Sequence, residues 1–83
     1  MKNAILFILK DCPHCKKFLS LMEDQPIEGV DLKIVDEQEE KEFADSYDYY
    51  YVPTLYLEEE KLHEGRIDDE SYRQLISRIR EKI

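Results

Sequence analysis

Cys12 and Cys15 are the two cysteines of the chain, separated by Pro13 and His14 in Leu9-Lys10-Asp11-Cys12-Pro13-His14-Cys15-Lys16-Lys17-Phe18. Thiols at this spacing suit disulfide exchange or a metal site better than a structural staple, since one pair cannot build a disulfide scaffold. Pro13 fits the first turn of a helix, where its missing N–H is not needed. A cysteine just ahead of such a turn meets unpaired backbone N–H groups and the positive end of the helix dipole, and both favour a thiolate. The chemistry that follows is attack on a disulfide sulfur, after which the second thiol attacks the first cysteine's sulfur in the mixed disulfide and releases the substrate thiol.

Two elements must position this pair. Ala4-Ile5-Leu6-Phe7-Ile8-Leu9 is a continuous apolar run bounded by charge, the pattern of a central strand covered on both faces. After it, Cys15, Phe18, Leu19 and Met22 recur at i, i+3, i+4 and i+7, the inward stripe of a helix. Cys15 therefore shares the buried face while Cys12 stays at the exposed tip, so Cys12 is expected to attack and Cys15 to resolve. Lys16 and Lys17 fall on the outer side, either solvated or lending charge to Cys12.

Gln25-Pro26 stops that helix, and Val30, Leu32 and Ile34 alternate with Asp31 and Lys33 as in a half-buried strand. Asp36 and Glu39 have the spacing of a capping box, opening a charged helix expected to bury Phe43, Ala44 and Tyr47. Strands are expected at Thr54 to Leu57 and near Lys61 to Glu64. The link Glu58-Glu59-Glu60 lacks the Gly or Asn of a tight hairpin, which predicts a strained or longer turn. Asp68 or Asp69 caps a last helix with apolar positions Tyr72, Leu75, Ile76, Ile79 and Ile83. The order β-α-β-α-β-β-α predicts an α/β fold: one four-stranded mixed sheet with helices packed on both faces.

The 83 residues suffice for one small domain spanning 1–83, which at this size buries only about 60% of its unfolded surface. With 12 basic and 20 acidic residues the formal charge is −8, which argues against nucleic acid as a partner. The acidity is either a solvated surface or an acidic docking face. The first apolar run is too short for a membrane span or a signal peptide, so the expected location is cytoplasmic and no membrane partner is expected. Lacking a spare apolar face, the chain is expected to be a monomer.

Cys12-Pro13-His14-Cys15 after a buried strand, with Val52-Pro53-Thr54 opening a later strand, resembles the thioredoxin superfamily in its minimal, glutaredoxin-sized form. The resemblance covers nearly the whole chain. It implies a minimal thioredoxin fold and a thiol-disulfide oxidoreductase that reduces protein disulfides or glutathione mixed disulfides through Cys12 and Cys15. It implies no bound cofactor, with glutathione as co-substrate and a glutathione or thioredoxin reductase system as electron source. It further implies that Pro13 and His14 tune the potential, toward the oxidising side for a Pro-His pair. Pro53 should be cis against the dithiol, with the Val52 backbone pairing an extended substrate. Lys10, Tyr51, Val52, Pro53, Arg66 and Asp68 are the substrate contacts that the resemblance implies. Tyr47 and Tyr49 match packing positions of the same pattern, whereas Tyr50 and Tyr51 form either an aromatic rim or simple surface packing.

The chain departs from glutaredoxins where these usually carry a Gly-Gly pair. Gly65 is followed by Arg66, which either obstructs glutathione or replaces a contact to its carboxylate. Three other readings compete: a metal site from Cys12, Cys15, His14 and His63, an iron–sulfur cluster shared across a dimer, and a redox-inert interaction domain.

Overall fold

In the computed structural model, which describes residues 1–83, the apolar run forms β1 (Lys2–Ile8), with Ala4 and Leu6 buried toward one face and Phe7 toward the other. A strand apolar on both sides belongs in the middle of a sheet, and β1 takes that position. Pro13 then starts α1 (Pro13–Asp24), which crosses back so that β2 (Val30–Asp36) runs parallel to β1, with Leu6 opposite Ile34. A short helix, α2 (Lys41–Asp45), leads to β3 (Thr54–Leu57), which pairs antiparallel with β1, and β4 (Glu60–Glu64) completes the sheet in the order β2-β1-β3-β4. The last element is α3 (Asp69–Lys82).

Each face carries its own core. Cys15 and Phe18 of α1 and Tyr72, Leu75, Ile76 and Ile79 of α3 close over Ala4, Leu6, Ile8, Leu55 and Leu57. On the other face Phe7, Val35, Ala44 and Tyr56 form a smaller cluster under α2. The four-stranded mixed sheet with helices on both faces is therefore the architecture expected from the order of elements.

Four details differ from expectation. Ile34 is 45% exposed although it continues the alternation of Val30 and Leu32, while Val35 is fully buried on the opposite face. The cause is position: β2 is an edge strand, and the larger core reaches Val30 and Leu32 but stops short of Ile34. Asp36 does cap, but only a turn, accepting N–H bonds from Gln38 (2.8 Å) and Glu39 (3.3 Å). Glu39 is drawn to Lys10 at 3.0 Å, and α2 starts later, behind Glu40 and without a side-chain cap. Phe43 is 36% exposed, leaning its ring on Tyr47 at 5.4 Å instead of entering the core. Ile83, expected to extend the inward stripe of α3, is 52% exposed just past the helix end.

Leu57 pairs with Glu60, so β3 and β4 are joined by only Glu58 and Glu59, with Glu58 at φ +53°. A side chain in this left-handed region costs about 1 to 2 kcal/mol, against about 0.5 to 1 kcal/mol of chain entropy for glycine. Glu58→Gly is therefore expected to raise the melting temperature by about 2 to 8 °C, as read by thermal circular dichroism. A melting temperature at or below that of the parent protein would show that the turn is not strained.

At the start of α3 the capping question resolves to Asp68. Its carboxylate accepts the Ser71 N–H at 2.8 Å while the Ser71 hydroxyl accepts the Asp68 N–H at 2.9 Å, a reciprocal box that holds the Asp68 carboxyl below its usual range.

Candidate active site

Cys12 is the N-cap of α1: its backbone is extended, and its Sγ accepts the N–H of Cys15 at 3.4 Å. The sulfur thus occupies the place usually taken by a Ser or Asp oxygen, where a negative charge gains most from the helix start. Cys15 lies one turn in, 1% exposed, against the larger core, with its sulfur accepting the Leu9 N–H at 3.5 Å. Burial pushes the Cys15 thiol up to about 12, helped by the neighbouring Cys12 sulfur, while the Leu9 amide works the other way. Both cysteines are free thiols.

This asymmetry predicts alkylation at one sulfur. At pH 7 to 8, iodoacetamide should modify Cys12 and leave Cys15 unlabelled in the native protein, with Cys15 reacting only after denaturation; peptide mass mapping reads the result. Equal labelling of both in the native state would remove the basis for separate roles.

The opposite wall is the segment before β3. The Val52-Pro53 peptide is cis, as the resemblance implied, and the Val52 carbonyl oxygen lies 4.0 Å from the Cys12 Sγ. Pro53 is buried, and its own carbonyl accepts the Gly65 N–H at 2.8 Å. Gly65 sits at φ +89°, a conformation that suits glycine, and a Cβ added there would lie 3.6 Å from the Tyr51 Cβ.

The remaining expected contacts divide. Tyr51 borders Val52 with 70% of its surface exposed, and Tyr50 is 84% exposed. Tyr47 and Tyr49 pack as expected, their rings 5.0 and 4.8 Å from Phe7. Arg66 is exposed directly after Gly65. Lys10 stands two residues before Cys12 and is paired with Glu39. Asp68 spends one carboxylate oxygen on the α3 cap. Pro13 fills the first helical position, and His14 is exposed beside it. His63, proposed above as a metal ligand, instead bonds the Gly65 carbonyl at 2.9 Å and leans on Phe18, and no three His, Cys, Asp or Glu side chains converge.

Two contributors were not anticipated. The Leu9 amide reaches Cys15 because the chain turns directly after β1, a contact no residue type announces. Glu64 carries only the signal of an acid at a strand end, yet it accepts the backbone N–H groups of both Tyr50 and Tyr51. No helix is long and apolar enough to cross a membrane. A family model described as a thioredoxin domain matches residues 1–77. Among curated proteins none matches the chain.

Proposed function

The chain belongs to the thioredoxin domain family, and from that membership we propose that it is a thiol-disulfide oxidoreductase of glutaredoxin-like type working through Cys12 and Cys15. The observation that carries this reading is the asymmetry of the pair: Cys12 caps the helix facing the Val52 carbonyl, while Cys15 is buried one turn below.

The Cys12 thiolate attacks one sulfur of a substrate disulfide, forming a mixed disulfide, and the other substrate sulfur leaves as a thiolate that takes up a proton. The Cys15 thiol then gives up its proton and attacks the Cys12 sulfur. That step forms the Cys12–Cys15 disulfide and releases the second substrate thiolate, so two electrons have passed to the substrate. Formation of the mixed disulfide removes the charge on Cys12 that had opposed ionisation of Cys15, and the Leu9 N–H is already aimed at the developing anion. Reduction by two glutathiones, or by a reductase dithiol, restores both thiols.

The substrates are disulfide-containing proteins or glutathione mixed disulfides, bound along Val52 and Pro53 with Tyr51 beside them. Lys10, Arg66 and Asp68 contribute charge at the edges. Pro13 and His14 shift the potential in the oxidising direction, and the protein works as a cytoplasmic monomer. A second reading, reduction by thioredoxin reductase, is favoured by Arg66, which stands where glutaredoxins carry the second glycine of their glutathione site.

The deciding experiment measures turnover of insulin and of a glutathione mixed disulfide, first with glutathione plus its reductase and then with thioredoxin reductase. Activity in the first arm alone supports the glutaredoxin-like reading, and activity in the second alone supports the alternative. Inertness in both arms overturns the oxidoreductase assignment.

A further inference from the structure

Residues 46–53 contain neither helix nor strand, yet their backbone is held at several points by side chains of β3 and β4. The Asp48 carbonyl accepts the Tyr56 hydroxyl at 2.5 Å and lies 3.4 Å from the Lys61 Nζ. The Tyr51 carbonyl accepts the Thr54 hydroxyl. Between them, a single Glu64 oxygen accepts the Tyr50 and Tyr51 N–H groups, the latter at 3.0 Å, and the other oxygen pairs with Lys61 at 2.8 Å.

Glu64 itself is largely shielded, its side chain only 21% exposed. The Lys61 ammonium and the two amides hold its carboxyl down to about 2, so it remains an anion throughout the working pH range. What it supports is unusual in composition. Tyr47, Tyr49 and Tyr56 spend their rings on Phe7, but Tyr50 and Tyr51 turn theirs outward, immediately before the Val52 carbonyl that faces Cys12. Exposed aromatic rings on a backbone pinned from beneath form a preorganised contact surface, which spares a ligand the ordering cost of a loose loop.

We propose that Glu64 is a positioning residue for substrate binding: by holding the Tyr50 and Tyr51 amides it presents both rings as a rim that takes a side chain next to the reacting cysteine of an extended peptide. This rests on the oxidoreductase reading above and names the substrate as a peptide segment longer than the disulfide alone.

The test compares a peptide disulfide with hydroxyethyl disulfide, which is too small to span from Cys12 to the rim. Glu64→Ala is expected to raise the KM for the peptide about fivefold to tenfold, the effect of losing a charged acceptor from two amides, while kcat changes by less than about twofold. The KM for hydroxyethyl disulfide should not move. Glu64→Gln, which keeps a carbonyl oxygen for the amides, should recover most of the loss. Amide hydrogen exchange at Tyr50 and Tyr51 should quicken in Glu64→Ala and stay slow in Glu64→Gln. Replacing both exposed rings, Tyr50→Ser with Tyr51→Ser, should reproduce the KM increase without touching the fold, and so decides the matter if Glu64→Ala does not fold. An unchanged peptide KM in the double tyrosine variant, or a parallel loss on both substrates in Glu64→Ala, overturns the proposal. A parent protein inert toward both disulfides overturns the oxidoreductase reading, and the role of Glu64 with it.

Discussion

Cys12→Ser is expected to abolish disulfide reduction, lowering turnover at least about a thousandfold to the level of the blank, because a serine hydroxyl does not ionise at neutral pH. The N-cap survives in this variant, since a Ser oxygen can accept the Cys15 N–H in place of sulfur, so α1 should melt at nearly the parent temperature. Loss of activity with an intact melt therefore isolates the nucleophile. Cys15→Ser separates the two electron sources. Without a resolving thiol, a protein substrate should remain covalently attached through Cys12, visible as a reducible mass increase. A glutathione adduct on Cys12 can still be removed by a second glutathione, so turnover of glutathione mixed disulfides should continue. If Cys15→Ser loses both activities, the monothiol route is closed and a dithiol reductant is required. Retention of activity by Cys12→Ser would refute the assignment of roles drawn from burial.

The second large effect is structural and sits on the opposite face of the sheet. Phe7 is fully buried among Tyr47, Tyr49, Tyr56 and Phe43, with ring centroids between 4.8 and 6.1 Å. Truncation of such a ring leaves a cavity and costs about 3 to 5 kcal/mol. A domain of this size is stable by about 0.05 to 0.15 kcal/mol per residue, so Phe7→Ala removes a large share of the total. The melting temperature should fall by at least about 12 °C, with loss of the tyrosine near-ultraviolet signal, and Phe7→Leu should cost markedly less. A shift of only a few degrees would show that the aromatic cluster is not a core in its own right. Since Tyr47 and Tyr49 anchor the chain that leads to Val52, peptide affinity should fall in Phe7→Ala before the protein unfolds.

The central strand and the unequal burial of the two cysteines are legible because each rests on local rules. An apolar run between charges reads as a covered strand, and a Cys-Pro pair reads as a helix start. A cap at Asp68 or Asp69 is legible for the same reason, and the structure selects Asp68, although the partner three residues on is Ser71, outside the usual acidic choice. Ile34 was misread because alternation tells which face a side chain takes and not whether anything covers it; that depends on β2 lying at the sheet edge. The start of α2 lies later than the spacing predicts: Asp36 caps only the turn before it, and the Glu39 carboxylate that a capping box needs pairs instead with Lys10, far away in sequence. Glu64 was invisible for a related reason. Its partners are backbone amides, which no pattern of side chains reveals, brought within reach by the pairing of Thr54 with Glu64.

The strand order also governs how the protein comes into being. Of the four strands of this sheet β1 is made before the others, yet it pairs on both sides, so it must wait with both edges open until residues 30–36 and then 54–57 have been made. Until β3 docks, no Val52 carbonyl faces Cys12 and no complete core shields Cys15. On the nascent chain the two thiols are therefore both open to solvent, and the difference in burial between Cys12 and Cys15 is acquired only when the sheet closes.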